Sequence, residues 1–141
     1  SRSINISDRP NGTFSRLHGV KYDASKDVLL VTEIGEAAAP LVPTPGKPPF
    51  NADGGIYIIK NATSLINSGG TVAADNFIYG ANTFLGNPVD ITLGNVGSKL
   101  YVFVAEKANK KILSFNLKDN GNVTPTLWTG TSYSPEAITP Y

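Results

Sequence analysis

Short β-prone runs recur along this chain in one fixed order. The stretch from Leu17 to Lys60 reads LHGVKYD, then DVLLVTEIG, then GGIYIIKN, and the stretch from Asn87 to Leu117 reads NPVDITL, then KLYVFVAEKAN, then KKILSFNL. Val28–Thr32 and Leu100–Ala105 are nearly continuous apolar runs, which predicts strands buried on both faces. Ile56–Ile59 and Ile112–Leu117 alternate more, with Lys111, Ser114 and Asn116 on the wetter side. Between them lie turn-forming clusters at Asp23–Asp27, Gly94–Ser98 and Asp119–Asn122, rich in residues that tolerate tight-turn geometry. Ala62–Asn67 is compatible with one helical turn, and no longer amphipathic helical pattern occurs.

The two stretches are copies of one unit. Glu33 in LLVTE and Glu106 in VFVAE fall at the same point of the second run, and SPEAITP (Ser134–Pro140) repeats the opening of the unit. Pro88 and Pro135 stand 47 residues apart, within the roughly 40–50 residues of a four-stranded propeller blade. The expected class is therefore all-β, built of β-propeller blades of four antiparallel strands. The expected organisation is a last strand of a preceding blade at 1–16, a blade at 17–86 with an insertion at 36–53, a second blade at 87–133, and the start of a third at 134–141.

About three blades' worth of chain cannot close a ring of four to eight. The chain begins at Ser1 and contains no Met, so the expectation is a processed product or fragment. Its open edges should be completed by other copies of itself or by a missing portion of the same chain, because stacked repeats bury their cores only against neighbours. The insertion carries Pro40, Pro43, Pro45, Pro48 and Pro49, which biases it towards extended backbone with few amide donors. It reads as a loop leaving the blade between its second and third strands, either a docking arm or lid, or a tolerated surface insertion.

Composition narrows the partners. Twelve basic and eleven acidic residues give a formal net charge of +1, and only Lys107, Lys110 and Lys111 cluster, so the counterion release that drives nucleic-acid binding has little to act on. No apolar run approaches the roughly 20 residues of a membrane helix, and no membrane partner is expected. The absence of Cys removes disulfides and thiolate ligands without deciding the compartment. The glycine pairs Gly54-Gly55 and Gly69-Gly70 lack any phosphate-binding fingerprint and read as turns.

His18-Gly-Val-Lys-Tyr-Asp23, Leu30-Val-Thr-Glu-Ile-Gly35, Asp53-Gly-Gly-Ile56, Leu85-Gly-Asn-Pro-Val-Asp90 and Val104-Ala-Glu-Lys-Ala-Asn109 resemble a group of bacterial exported proteins with NHL-like β-propeller repeats, over about Leu17–Leu117. More distantly they resemble gluconolactonase-like propellers. The resemblance implies a propeller fold and a secreted, extracellular or periplasmic location. These motifs specify fold better than function, since propellers host binding modules, lyases and lactonases alike.

Chemistry in such a fold would come from strand ends rimming a central channel. His18, Asp90 and Glu136 fall near the starts of the innermost strands, with Glu33 and Glu106 at the ends of the next ones. Oxygen-rich rings of this kind hold Ca²⁺. The competing role for Glu33 and Glu106 is to cap a turn or satisfy backbone amides, and for His18 to serve as a packed or hydrogen-bonded residue. No second His, Cys nucleophile or G-x-S-x-G elbow is present. Trp128, with Phe77, Tyr79 and Phe84, offers either a sugar-stacking platform or packing between blades. The sequons at Asn5, Asn11, Asn61 and Asn122 are candidate glycosylation sites. The leading expectation is a non-catalytic extracellular protein acting through self-assembly or partner binding. The alternatives are one part of a divalent-metal-dependent lactonase-like or lyase-like enzyme, and a glycan-binding module.

Overall fold

A computed structural model describes residues 2–9, 16–35 and 52–140. The proline-rich insertion lies outside them except for its last residues, as does the sequon at Asn11. All described elements other than one short helix and one 3₁₀ turn are strands, so the chain is all-β, as the hydrophobic pattern predicts.

The strands are β1 (Ile4–Ile6), β2 (Arg16–Asp23), β3 (Val28–Ile34), β4 (Gly55–Lys60), β5 (Gly70–Val72), β6 (Asn76–Tyr79), β7 (Pro88–Val96), β8 (Lys99–Glu106), β9 (Lys111–Asn116) and β10 (Leu127–Gly130), with helix α1 (Ala62–Ser68) between β4 and β5. Two antiparallel sheets of four strands follow the chain in order, β2-β3-β4-β6 and β7-β8-β9-β10, and β1 pairs with β5 in a separate two-stranded ladder. The third strands start one residue earlier than the apolar runs suggest. The β7–β8 turn is also tighter than the glycine cluster predicts, because Val96 pairs with Lys99 and leaves only Gly97, at φ 61°, and Ser98 to reverse the chain.

The sequence repeat is a repeat of pairing. Leu17 faces Glu33 and Pro88 faces Glu106, and each register is then broken by an irregularity, before Val20 in one sheet and before Asp90 in the other. Both second strands are buried along most of their length, β3 throughout. The main core lies between the two sheets. It joins Leu30, Ile56, Ile58 and Ile78 to Ile91, Val102, Leu113 and Phe115. The opposite face of the β2–β6 sheet carries Leu29, Val31, Tyr57 and Ile59, over which Ile4, Ile6, Leu65 and Val72 pack.

Close approach of β2 and β7 depends on Gly19. A β-carbon there would sit 3.0 Å from both the Asp90 Cα and Thr32 Oγ1, and the Gly19 amide already donates to Thr32 Oγ1 at 2.7 Å. The helix expected at Ala62–Asn67 forms and extends by one residue. Its cap comes from elsewhere in the chain. Asn61 enters left-handed, at φ 52°, without a side-chain cap bond, and the Asp27 carboxylate in the β2–β3 turn accepts the Thr63 amide and hydroxyl, both at 2.7 Å. These two bonds, the hydroxyl first, hold the Asp27 carboxyl below its usual range.

Candidate functional site

The five residues singled out from the sequence are dispersed into structural roles. His18 lies on β2, and its Nδ1 is 2.6 Å from the Val89 carbonyl oxygen. A carbonyl can only accept, so Nδ1 carries the proton in this contact. Asp90 accepts the Ile91 amide on one oxygen and the Ile138 amide on the other, each at 2.9 Å. These two side chains thus tie β2 to β7, and β7 to the segment 134–140. That segment forms no strand but follows β7 along its edge.

Glu106 is fully buried. Its carboxylate accepts the amides of Gly86 at 3.1 Å, of Asn87, and of Asn109 at 2.5 Å. Burial pushes its carboxyl above the usual range, against the opposite pull of those amides. Glu33 is equally buried, but its carboxylate accepts a hydrogen bond from the Tyr57 hydroxyl and pairs with Arg9 at 3.6 Å. Burial, then the neighbouring carboxylate, pushes the Tyr57 hydroxyl well above its ordinary value. The repeated glutamates share one contact, with the connection that leads into their own sheet, and differ in the other: Glu33 binds Tyr57 on β4, and Glu106 caps its own turn at Asn109. Gly86 and Asn87 belong to that connection in the second sheet, and Arg9 to the corresponding one in the first.

Glu136 is exposed and pairs with Lys107 at 2.5 Å, and this contact holds its carboxyl below the usual range. Among the described residues, no group of three or more His, Cys, Asp or Glu is placed to hold a metal ion. The turn-capping and amide-satisfying role therefore accounts for Glu106, while hydrogen bonding to the neighbouring strand accounts for His18.

Trp128 lies on β10 and is 59% exposed. One face of its ring is taken by the Lys111 ammonium, 3.9 Å from the ring centre, and the same ammonium lies 5.9 Å from the centre of the Phe84 ring. Phe77 stacks between Tyr57 and Tyr79, with ring centres 4.4 and 5.3 Å apart, so the aromatic residues of β6 are used in packing. Asn5, Asn61 and Asn122 are all exposed, and Asn122 is engaged through its Oδ1, which accepts the Asn82 amide at 2.8 Å.

What the site residues do not supply, the second sheet does. Its core-facing side chains alternate with Thr92, Phe103, Ile112 and Leu127 on the outer face. This face is apolar and only partly covered, with Phe103 and Ile112 half-buried and Leu127 46% exposed. Residues 138–140 lie over its β7 margin and enclose a cavity of about 270 Å³ with Thr92, Gly94 and Phe103. A second hollow of about 160 Å³ lies between Phe103, Ile112, Leu127 and Thr129. The outer strand β10 is exposed along its whole length. The sequence marks this face only weakly, since Thr92, Ser114 and Thr129 interrupt the apolar alternation.

Among the described residues no helix is long and apolar enough to cross a membrane. No family model, curated protein or solved structure matches the chain.

Proposed function

We propose that this chain is a non-catalytic, extracellular β-propeller-type protein that acts through self-assembly or partner binding, with the two four-stranded sheets as consecutive blades. The observation that carries this reading is the partly covered outer face of the β7–β10 sheet, where Phe103 and Ile112 are half-buried and Leu127 is exposed. The equivalent face of the first sheet is buried against its neighbour, and a repeat that leaves part of such a face open towards β10 is built to be covered there. The repeated strand order and the repeated Leu17–Glu33 and Pro88–Glu106 pairings support the blade reading. The resemblance to exported NHL-like propeller proteins and the exposed sequons support the extracellular location.

Light scattering on the purified chain, with and without a calcium chelator, tests this. A discrete multiple of 14.9 kDa, or larger particles, is expected, together with a loss of association when Ile112→Lys places a charge on the open face. A monomer that stays monomeric and binds nothing through this face sinks the reading.

A further inference from the structure

The joint between the two sheets has a second part, at their outer edges. The connection from β9 to β10 crosses over to the first sheet and pairs in parallel with its outermost strand, Gly121 against Ile78. Tyr79 donates to the Gly121 carbonyl at 3.1 Å and Gly121 donates to the Phe77 carbonyl at 2.7 Å. The side chains of Asn76 and Asn120 add bonds across the same seam. The second sheet therefore lends the connection before its last strand to close the edge of the first.

The first sheet lends the same segment. Strand β5 lies between β4 and β6, as Gly121 lies between β9 and β10, and it too forms a parallel ladder, with Ile4, Asn5 and Ile6 facing Gly70, Thr71 and Val72. Ile4 and Ile6 pack on the cluster of Leu29, Val31, Tyr57 and Ile59, much as Ile78 packs with Val102, Val104, Leu113 and Phe115. The three residues of β1 thus stand where the outermost strand of a preceding sheet would. At the far end of the molecule, β10 is the counterpart of β6, and among the described residues no parallel strand pairs with it.

We infer that β10 and the open face beside it form a docking surface for a second copy of this chain, head to tail, with β10 paired in parallel to β5 of that copy in the place of its β1. The occupant is a second copy because β5 of this chain is the kind of parallel edge that β10 lacks, held in one molecule by only the three residues of β1, and the arrangement continues the interface seen inside each molecule. Strand addition at a sheet edge supplies main-chain hydrogen bonds, while Phe103, Ile112 and Leu127 supply apolar contact. Unlike surfaces meeting in this way form a ring if the rotation closes and a filament if it does not. The inference rests on the proposed assembly and adds which surfaces meet.

The absence of cysteine makes the test clean. Thr71 and Thr129 are both exposed, and they lie on opposite sides of the first sheet and its core, so they do not meet within one molecule. Opposed residues on paired strands have a Cα separation that suits a disulfide, about 5.5 Å. Thr71→Cys and Thr129→Cys chains are mixed and oxidised, then separated under non-reducing conditions. A cross-linked dimer that forms in the mixture and in neither variant alone is expected, with a higher yield when Asn5→Pro loosens β1. An associated protein that gives no mixed dimer overturns this joint and leaves the assembly reading standing, whereas a monomer in light scattering overturns both.

Discussion

Asp90 and Ile138, 48 positions apart, are joined by a hydrogen bond in which the backbone amide of Ile138 donates to the Asp90 carboxylate at 2.9 Å. With the Lys107–Glu136 pair, it holds residues 134–140 against β7. Of the two contacts, the exposed ion pair contributes little, since solvent screens it. Asp90→Ala is therefore expected to raise the hydrogen-exchange rate of the Ile138 amide and of its neighbours while exchange in β8 stays unchanged. Equal protection in the variant would show that apolar contact alone holds the segment.

Glu106 sets a pH dependence. Its folded-state carboxyl titrates above the unfolded value, so the folded state binds more protons in the window between the two. Stability contributed by this group then falls as pH rises through that window, above about 4.5. Glu136 has the opposite sign, because its lowered value adds stability above the unfolded titration that is lost as pH falls. Melting temperatures followed from acid to neutral pH should show the Glu106 slope in the native chain and lose it in Glu106→Gln. At neutral pH, Glu106→Ala leaves the Gly86, Asn87 and Asn109 amides without their acceptor, at a cost of about 2–4 kcal/mol.

Tyr57 satisfies a buried carboxylate, and Tyr57→Phe removes that donor without changing the packing of the ring on Phe77. Urea unfolding should show a loss of about 1–3 kcal/mol, the range for stripping a buried acceptor of one partner. A loss under a few tenths would mean that the other contacts of Glu33 suffice.

The core between the sheets and the open face should respond differently. Ile58 is fully buried between the two sheets, and Ile58→Ala is expected to cost about 2–5 kcal/mol. Ile112 is half-buried on the partly covered face, so Ile112→Ala should cost the isolated chain distinctly less. Unfolding followed at low protein concentration, where association does not add stability, separates the two.

Trp128→Ala removes an exposed ring that carries the Lys111 ammonium on one face. The expected loss of stability is about 0.5–1 kcal/mol, as for solvent-exposed cation–π contacts. A larger loss in thermal unfolding would show that the ring also anchors β10 to its sheet.

Much of the fold was legible in the residue pattern because strand burial is a local property. The runs Val28–Thr32 and Leu100–Ala105 are apolar on both sides; the first forms a strand covered on both faces, and the second one that is covered except at Leu100 and Phe103. The turn at Asp119–Asn122 also rests on short-range chemistry. The role of Asp90 was not legible, since a carboxylate near a strand end reads alike whether it faces a channel or takes a backbone amide 48 positions away.

The same limit separates what the sequence by itself determined from what tertiary structure decided. Hydrophobic periodicity and the internal repeat determined that the chain is all-β and that the unit occurs twice, because period and order are carried by neighbouring residues. Only the stacked sheets decided that Glu33 answers to Tyr57 and Arg9 while Glu106 answers to three amides. They also decided that Gly121 pairs with the edge of the first sheet and β5 with β1, and that one face of the second sheet is left partly open. Those relations join residues distant along the chain, and packing selects them by which polar groups must be satisfied once water is excluded.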